Sequence, residues 1–368
     1  MKIAFLCKRK YMSKDVILER YARLYEIPNQ LSLLGHEVEC FCLSYQNHDE
    51  GLWDETNSEK KLKWYSKSYK GLKKTLLWSY PLFLIDQLKT FKPDLIIAAS
   101  DIPHIIIASW VAKQLDCPFI ADLYDNFEAY GQAKIPGLKF LFHKALDSAQ
   151  LISTTSISLA EKIKTEHPKV PNIFPMPSVI NKELFKTGDQ VAARKELNLP
   201  LEKKLIGTAG SLTRSKGIDD LFHAWDMIKK QNSNIDLVLA GPIETSSPLP
   251  QDDRIIYLGL LPHEQIATLF QALEIGILCI PKDEFGQYCF PQKAYEMLAC
   301  DLFILSSSIG DMVKLLPNEQ LFDSSEELAK LIVSHTENVE KLDVSILDWK
   351  QVITLFHEEI FHTVQFKK

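Results

Sequence analysis

The chain has 368 residues, 46% of them hydrophobic and 24% charged, and a formal net charge of −6. This is the balance of an ordinary globule too long for one core; it predicts two domains and excludes a general nucleic-acid binder. Seven cysteines without a CxxC pair point away from a disulfide framework and from a zinc site, and toward a reducing, cytoplasmic compartment.

The opening, MKIAFLCKRK, reads as a first strand over 2–7, since five apolar residues followed at once by charges are too few for a signal peptide. Ile17, Leu18, Tyr21, Leu24, Ile27, Leu31 and Leu34 recur at helical spacing and predict a helix over 15–34, ended by Gly35. Val38–Leu43 is the next strand, and the polar segment 46–60 reads as loop. Residues 60–74, KKLKWYSKSYKGLKK, hold seven lysines, three aromatics and no acid. A helix over about 75–90 and strands at Leu95–Ala98, Pro118–Ala121 and Gln150–Ser153 follow, with a helix near 104–115. Strand and helix alternate as in βαβ units, which predicts a parallel, doubly wound sheet.

Ligands bind beyond the carboxyl ends of strands in such sheets. Two loops lie there, SDIPH (100–104) and DLYDNFEAYG (122–131). Asp122, Asp125 and Glu128 suit sugar hydroxyls or a solvated helix start better than a metal, because no histidine sits among them at ligand spacing. His104, at a helix start, is either solvent-exposed or part of the chemistry. The proline-rich segment 167–189 reads as a linker, with the domain boundary near 178.

Strands near 204–209, 235–240, 254–257, 275–280 and 302–305 predict a second doubly wound domain. Residues 204–226, KLIGTAGSLTRSKGIDDLFHAWD, pass from a strand through a small-residue turn (Gly210, Ser211) to a helix opened by Gly217, with Arg214 and Lys216 beside its start. Backbone N–H groups, helix dipole and two cations there suit a diphosphate. In 281–300, PKDEFGQYCFPQKAYEMLAC, a helix from about Gln292 carries Lys293 and Glu296 near its start, and a carboxylate so placed can accept from the vicinal hydroxyls of a ribose. A last helix is predicted over Val344–Val364.

Together these pieces resemble the retaining glycosyltransferases of family 4, which have the GT-B fold: two doubly wound, Rossmann-like domains facing each other across a cleft. The resemblance rests on GSLTRSKG between strand and helix, the PQKAYEMLAC helix, the opening ERYARLYEIPNQLSLLGHEV and the terminal helix with Trp349. It implies an acceptor-binding domain (1–178), a nucleotide-sugar-binding domain (179–343) and a segment crossing back to the first (344–368). It implies Lys216 on the donor diphosphate, Glu296 on the ribose, and the backbone at Leu260–Leu261 against the base. Asp122 falls near a position where many members carry a histidine beside the donor sugar.

The chain departs from the family pattern where Ser211 replaces an arginine, Tyr288 replaces the first glutamate of a pair, and RKYMSKD lacks paired glycines. Arg214 is the expected stand-in for the missing arginine. The expected activity is metal-independent transfer of a sugar from a nucleoside-diphosphate sugar to a glycan or lipid-linked acceptor, with no resident cofactor. The alternatives are a catalytically weak carbohydrate-binding subunit and a nucleotide-sugar epimerase. The lysine run, with Trp64, Tyr65 and Tyr69, suggests contact with the anionic inner face of a membrane.

Overall fold

The computed structural model describes residues 1–46, 48–68, 76–230, 234–244, 247–334, 342 and 347–366, and for 76–78 the backbone only. It divides into two compact units, Met1–Val179 with Trp349–Lys368 (unit 1) and Ile180–Asp348 (unit 2). Both are doubly wound α/β units with parallel sheets.

Unit 1 runs through β1 (Lys2–Lys8), the hairpin β2 (Lys10–Tyr11) and β3 (Lys14–Asp15), α1 (Ala22–Leu33), β4 (Glu37–Ser44), β5 (Gly51–Asp54) and β6 (Lys61–Ser68). It continues with α2 (Leu76–Phe91), β7 (Leu95–Ala99), α3 (Ile102–Leu115), β8 (Phe119–Leu123), α4 (Leu138–Leu146), β9 (Leu151–Thr154), α5 (Ile157–Glu166) and β10 (Asn172–Pro175). The sheet order is β10-β9-β8-β7-β1-β4-β6-β5, parallel except where β5 meets β6. The chain winds outward from β1 through β4, then returns to place β7 on its other side, so the topological switch point lies between β1 and β7. Ile3–Cys7 and Leu95–Ala99 are buried along their whole length, as strands covered by helices on both faces must be.

Three expectations change here. The helix predicted from residue 15 begins at Ala22, because Lys10–Asp15 fold into a hairpin and Arg20 and Ala22 take φ of 50° and 51°. The segment read as loop holds β5. The lysine-rich run is largely a strand, β6, in which Leu62, Trp64, Ser66 and Ser68 are buried and alternate with Lys61, Lys63, Tyr65 and Lys67. Trp64 stacks on Tyr25 at 5.7 Å and is fully buried, so its ring belongs to the packing of the sheet and not to a headgroup layer; the half-buried Tyr65 stacks on Phe41 at 5.1 Å. Lys60 pairs with Glu55 and Lys67 with Glu50. Tyr69, Lys70, Lys73 and Lys74 lie outside the described residues. No helix among the described residues is long and apolar enough to cross a membrane.

Unit 2 contains α6 (Gln190–Glu196), β11 (Lys204–Ala209), α7 (Ile218–Ile228), β12 (Ile235–Ala240), β13 (Ile255–Tyr257), α8 (His263–Ala272), β14 (Ile275–Leu278) and α9 (Glu284–Tyr288). After these come α10 (Gln292–Ala299), β15 (Phe303–Ser307), α11 (Met312–Leu315), β16 (Leu321–Phe322) and α12 (Ser325–Ser334). Its wholly parallel sheet has the order β13-β12-β11-β14-β15-β16, with the switch point between β11 and β14. The apolar stripe of α7 (Ile218, Leu221, Phe222, Trp225, Ile228) is buried on this sheet, which fixes the 3-10 turn Arg214–Lys216 just before it.

The last helix, α13 (Trp349–Thr363), belongs to unit 1. It buries Val352, Ile353, Phe356 and Ile360; Phe356 stacks on Phe174 of β10 at 6.1 Å, and His357 Nε2 lies 2.7 Å from His36 Nε2.

Candidate functional site

In unit 2 the carboxyl ends of the central strands are stripped of side chains. Gly210 (φ 118°) and Gly241 (φ 124°) follow β11 and β12, and a Cβ on Gly241 would fall 2.0 Å from the Gly210 carbonyl oxygen. Only glycine permits that approach. Lys293, from the first turn of α10, reaches this edge and donates from Nζ to the Ala209 carbonyl at 2.9 Å. Burial pushes its ammonium below the ordinary lysine range; the charge of Lys216 pushes the same way, while Glu296 opposes both.

Lys216 Nζ rests over the Phe285 ring of α9, 4.1 Å from the centroid. Gly217 (φ 78°) brings the start of α7 against Cys279 at the end of β14, so Lys216 enters at the switch point. Two ammonium groups sharing one crevice, one of them half-buried, form an arrangement that a bound anion relieves. One turn beyond Lys293, the buried Glu296 accepts from Gln292 Nε2 at 3.1 Å and lies 4.0 Å from His263 Nε2. Burial raises its carboxyl, with Gln292, His263 and Lys293 pulling the other way. Leu260 is 80% exposed while Leu261 packs on the core, and Ser211 is exposed in the turn.

Arg214 donates to Asp219 at 2.7 Å and is otherwise exposed. Its guanidinium is therefore held by its own helix start, not joined to Lys216 and Lys293. Asp283 caps α9 by accepting from Gly286 N at 2.9 Å, so it does not replace the glutamate missing at Tyr288.

Unit 1 has its own cluster at the switch point. Lys8, ending β1, donates from its backbone to Ser100 Oγ (2.8 Å) and from Nζ to Tyr124 Oη (2.7 Å); that hydroxyl donates to the Ser100 carbonyl (3.0 Å). His104 is buried, not exposed. Asp101 caps α3, accepting from the His104 backbone at 3.0 Å and from its Nδ1 at 2.6 Å, which leaves Nε2 buried without a hydrogen-bond partner. Burial alone would raise the Asp101 carboxyl, but His104 holds it below its ordinary value. With Nδ1–H committed to Asp101, Nε2 presents a lone pair suited to taking a proton. Asp101 and Tyr124 lie in the two loops that the rule for strand ends marks, though not singled out within them, and the same rule marks Lys8, at the end of β1, which the sequence reading passed over.

The acids of 122–131 are all held by protein partners. Asp122 is fully buried and takes three contacts from Arg23 (2.6–3.2 Å) and one from Ser153 Oγ (2.6 Å); Arg23 itself is fully buried and also donates to the Met176 carbonyl at 2.5 Å. A carboxylate so enclosed is structural, and its expected catalytic role is corrected. Asp125 accepts from the Asn126 backbone (2.8 Å) and from Tyr130 Oη. Glu128 is held by Lys139, His143 and Lys162.

Burial would raise the Glu128 carboxyl, but hydrogen bonds from Lys139 and Lys162 outweigh it and hold it at about 2, against 4.5 unperturbed. A depressed carboxyl adds stability above its unfolded value and loses it as pH falls toward the folded one, here between pH 5 and 2, and the difference is on the order of 3 kcal/mol. Glu128→Gln is expected to lower the urea midpoint at pH 7 and to meet the wild-type midpoint near pH 2. Parallel pH curves would refute this.

Residues 189–344 match the family model for glycosyl transferases group 1. The proposed teichuronic acid biosynthesis glycosyltransferase TuaC of Bacillus subtilis is 24% identical over 308 residues, covering 82% of this chain and 75% of that protein. A D-inositol 3-phosphate glycosyltransferase of Mycolicibacterium paratuberculosis is 24% identical over 197 residues, covering 50% and 43%. Among solved structures, Anabaena Alr3699/HepE in complex with UDP superposes with a TM-score of 0.70 at 14% identity, covering 98% of this chain and all of that one. Sucrose-phosphate synthase from Thermosynechococcus elongatus gives 0.64 at 18%, covering 90% and 88%. The chain is a glycosyltransferase with the GT-B fold. The matched residues lie within unit 2, which carries Lys216, Lys293 and Glu296.

Proposed function

We propose that this glycosyltransferase moves a sugar, with retention of anomeric configuration, from a nucleoside-diphosphate sugar to a glycan or lipid-linked acceptor, and that its own lysines do the work of a metal ion at the diphosphate. The observation that carries the proposal is the half-buried Lys293 ammonium beside Lys216, at the glycine-bared switch point of unit 2. As the glycosidic bond breaks, charge builds on the β-phosphate, and cations fixed there stabilise the transition state more than the ground state. Glu296 would take the ribose hydroxyls and the exposed Leu260 would lie against the base.

The similar Anabaena HepE is known with UDP, with UDP and glucose, and with UDP-glucose, so uridine-diphosphate sugars are the first donors to test. A trehalose-6-phosphate synthase of similar fold transfers with retention, which supports the same outcome here. The Asp122 carboxylate is enclosed by Arg23 and Ser153, which favours front-face attack assisted by the leaving phosphate over a double displacement through that residue. In unit 1, His104 and the Lys8–Tyr124 pair are the groups best placed to receive the acceptor.

The test is incubation with UDP-, GDP- and ADP-sugars in a chelator, following nucleoside diphosphate release and the configuration of the product. Slow hydrolysis of one donor, accelerated by an acceptor and giving a retained linkage, is expected. Turnover that returns only with magnesium or manganese would overturn the metal-free reading; an isomerised donor sugar would make the chain an epimerase.

A further inference from the structure

A second kind of chemistry is written between α4 and α5 of unit 1. His167 Nδ1 lies 2.7 Å from Asp147 Oδ1, and His143 Nε2 lies 3.0 Å from Glu128 Oε1. An ionised carboxylate only accepts, so both of these outer ring nitrogens carry a proton. The inner nitrogens, His143 Nδ1 and His167 Nε2, face each other at 3.0 Å, with the rings stacked 5.0 Å apart. A neutral imidazole has one N–H, so two lone pairs are left pointing at one another. Something positive belongs between them, either a shared proton or a metal ion.

Glu166 favours the metal. One of its carboxylate oxygens lies within 4.8 Å of a ring nitrogen of each histidine, and Lys162 steadies the group at 2.9 Å. Two imidazoles and a carboxylate form a zinc ligand set, and metal-bound histidines pass their second N–H to a carboxylate, the part taken here by Asp147 and Glu128. Two nitrogens on a tetrahedral zinc stand about 3.3 Å apart, a few tenths of an ångström from the spacing present.

We propose that His143, His167 and Glu166 bind a zinc-type dication that clips α4 to α5. Through Glu128, which lies in the 3-10 turn Phe127–Ala129, the clip also braces the segment following β8. The site contains no thiolate, so cysteine spacing does not reveal it.

The test titrates the full chain, stripped with a chelator, with Zn²⁺ by calorimetry and with Co²⁺ by visible absorption. His36 and His357 form a separate histidine pair, so the reading is the difference from a variant. The wild type should bind one more equivalent than His143→Ala and show the intense absorption of tetrahedral Co²⁺, which that variant lacks. Asp147→Asn, changed at a half-exposed position, keeps all three ligands and should bind about 10–100-fold more weakly. Equal stoichiometry and affinity in all three proteins would overturn the proposal and leave a shared proton between the rings.

Discussion

Asp122→Ala is expected to destabilise unit 1 by about 3–5 kcal/mol, the usual cost of leaving one buried charge without its partner. Asp122 and Arg23 are both fully buried, and the guanidinium has no water to turn to once the carboxylate is gone. Ser153 Oγ loses its acceptor as well. The pair joins α1 to the end of β8 and, through the Met176 carbonyl, to the residue after β10, so the loss spreads over three elements. Removing both charges with Arg23→Met and Asp122→Ala should recover most of the stability, since apolar replacements of a buried pair are often neutral. Two units need not unfold together, so hydrogen exchange of β8 should be followed beside that of β11 as an internal reference. Unchanged protection of β8 in Asp122→Ala would show that the pair carries little.

Lys293→Ala and Lys216→Ala are expected to lower kcat by about 10- to 1000-fold, because each removes a charge that matters most as the diphosphate leaves. Glu296→Ala should act mainly on KM, since ribose hydrogen bonds are made equally in ground and transition states. Lys293 adds a pH signature. Its ammonium sits below the ordinary lysine range through burial, so activity should fall as pH rises through that lowered value. Lys293→Arg, which keeps its charge, should move the alkaline limb upward even if the rate is poorer. A limb that stays in place would mean that another group titrates there.

What the sequence made legible was local. Lys216 stands beside the turn and helix start that define it, and Lys293 and Glu296 occupy one turn of a single helix, so spacing alone places them. The parallel sheets were legible for the same reason, since Leu95–Ala99 is apolar throughout and Ile235–Ala240 is apolar but for Asp236. Asp122 failed because its meaning depends on Arg23, ninety-nine positions earlier, and no local pattern joins them. The burial of His104 was not legible because a helix start predicts exposure, whereas the residue is enclosed and held by Asp101. The strand at Lys61–Ser68 was present as an alternation, but two of its four buried positions are serines, and a hydrophobicity count passes over them. The strand Asn172–Pro175 fell inside a proline-rich stretch read as linker, and edge strands are where proline is tolerated.

Because α13 closes unit 1 while unit 2 is one unbroken stretch, the order of synthesis is not the order of completion. On the ribosome the eight-stranded sheet emerges first but waits for its last helix until all of residues 180–348 have been made, on the order of ten seconds at ~5–20 residues per second. During that interval the surface that Phe356 and Ile360 later cover stays open to water, and to chaperones or other nascent chains. Unit 2 has no such wait. A nonsense mutation just before Trp349 would accordingly spare the lysine crevice, the part made later, and cripple the part made first.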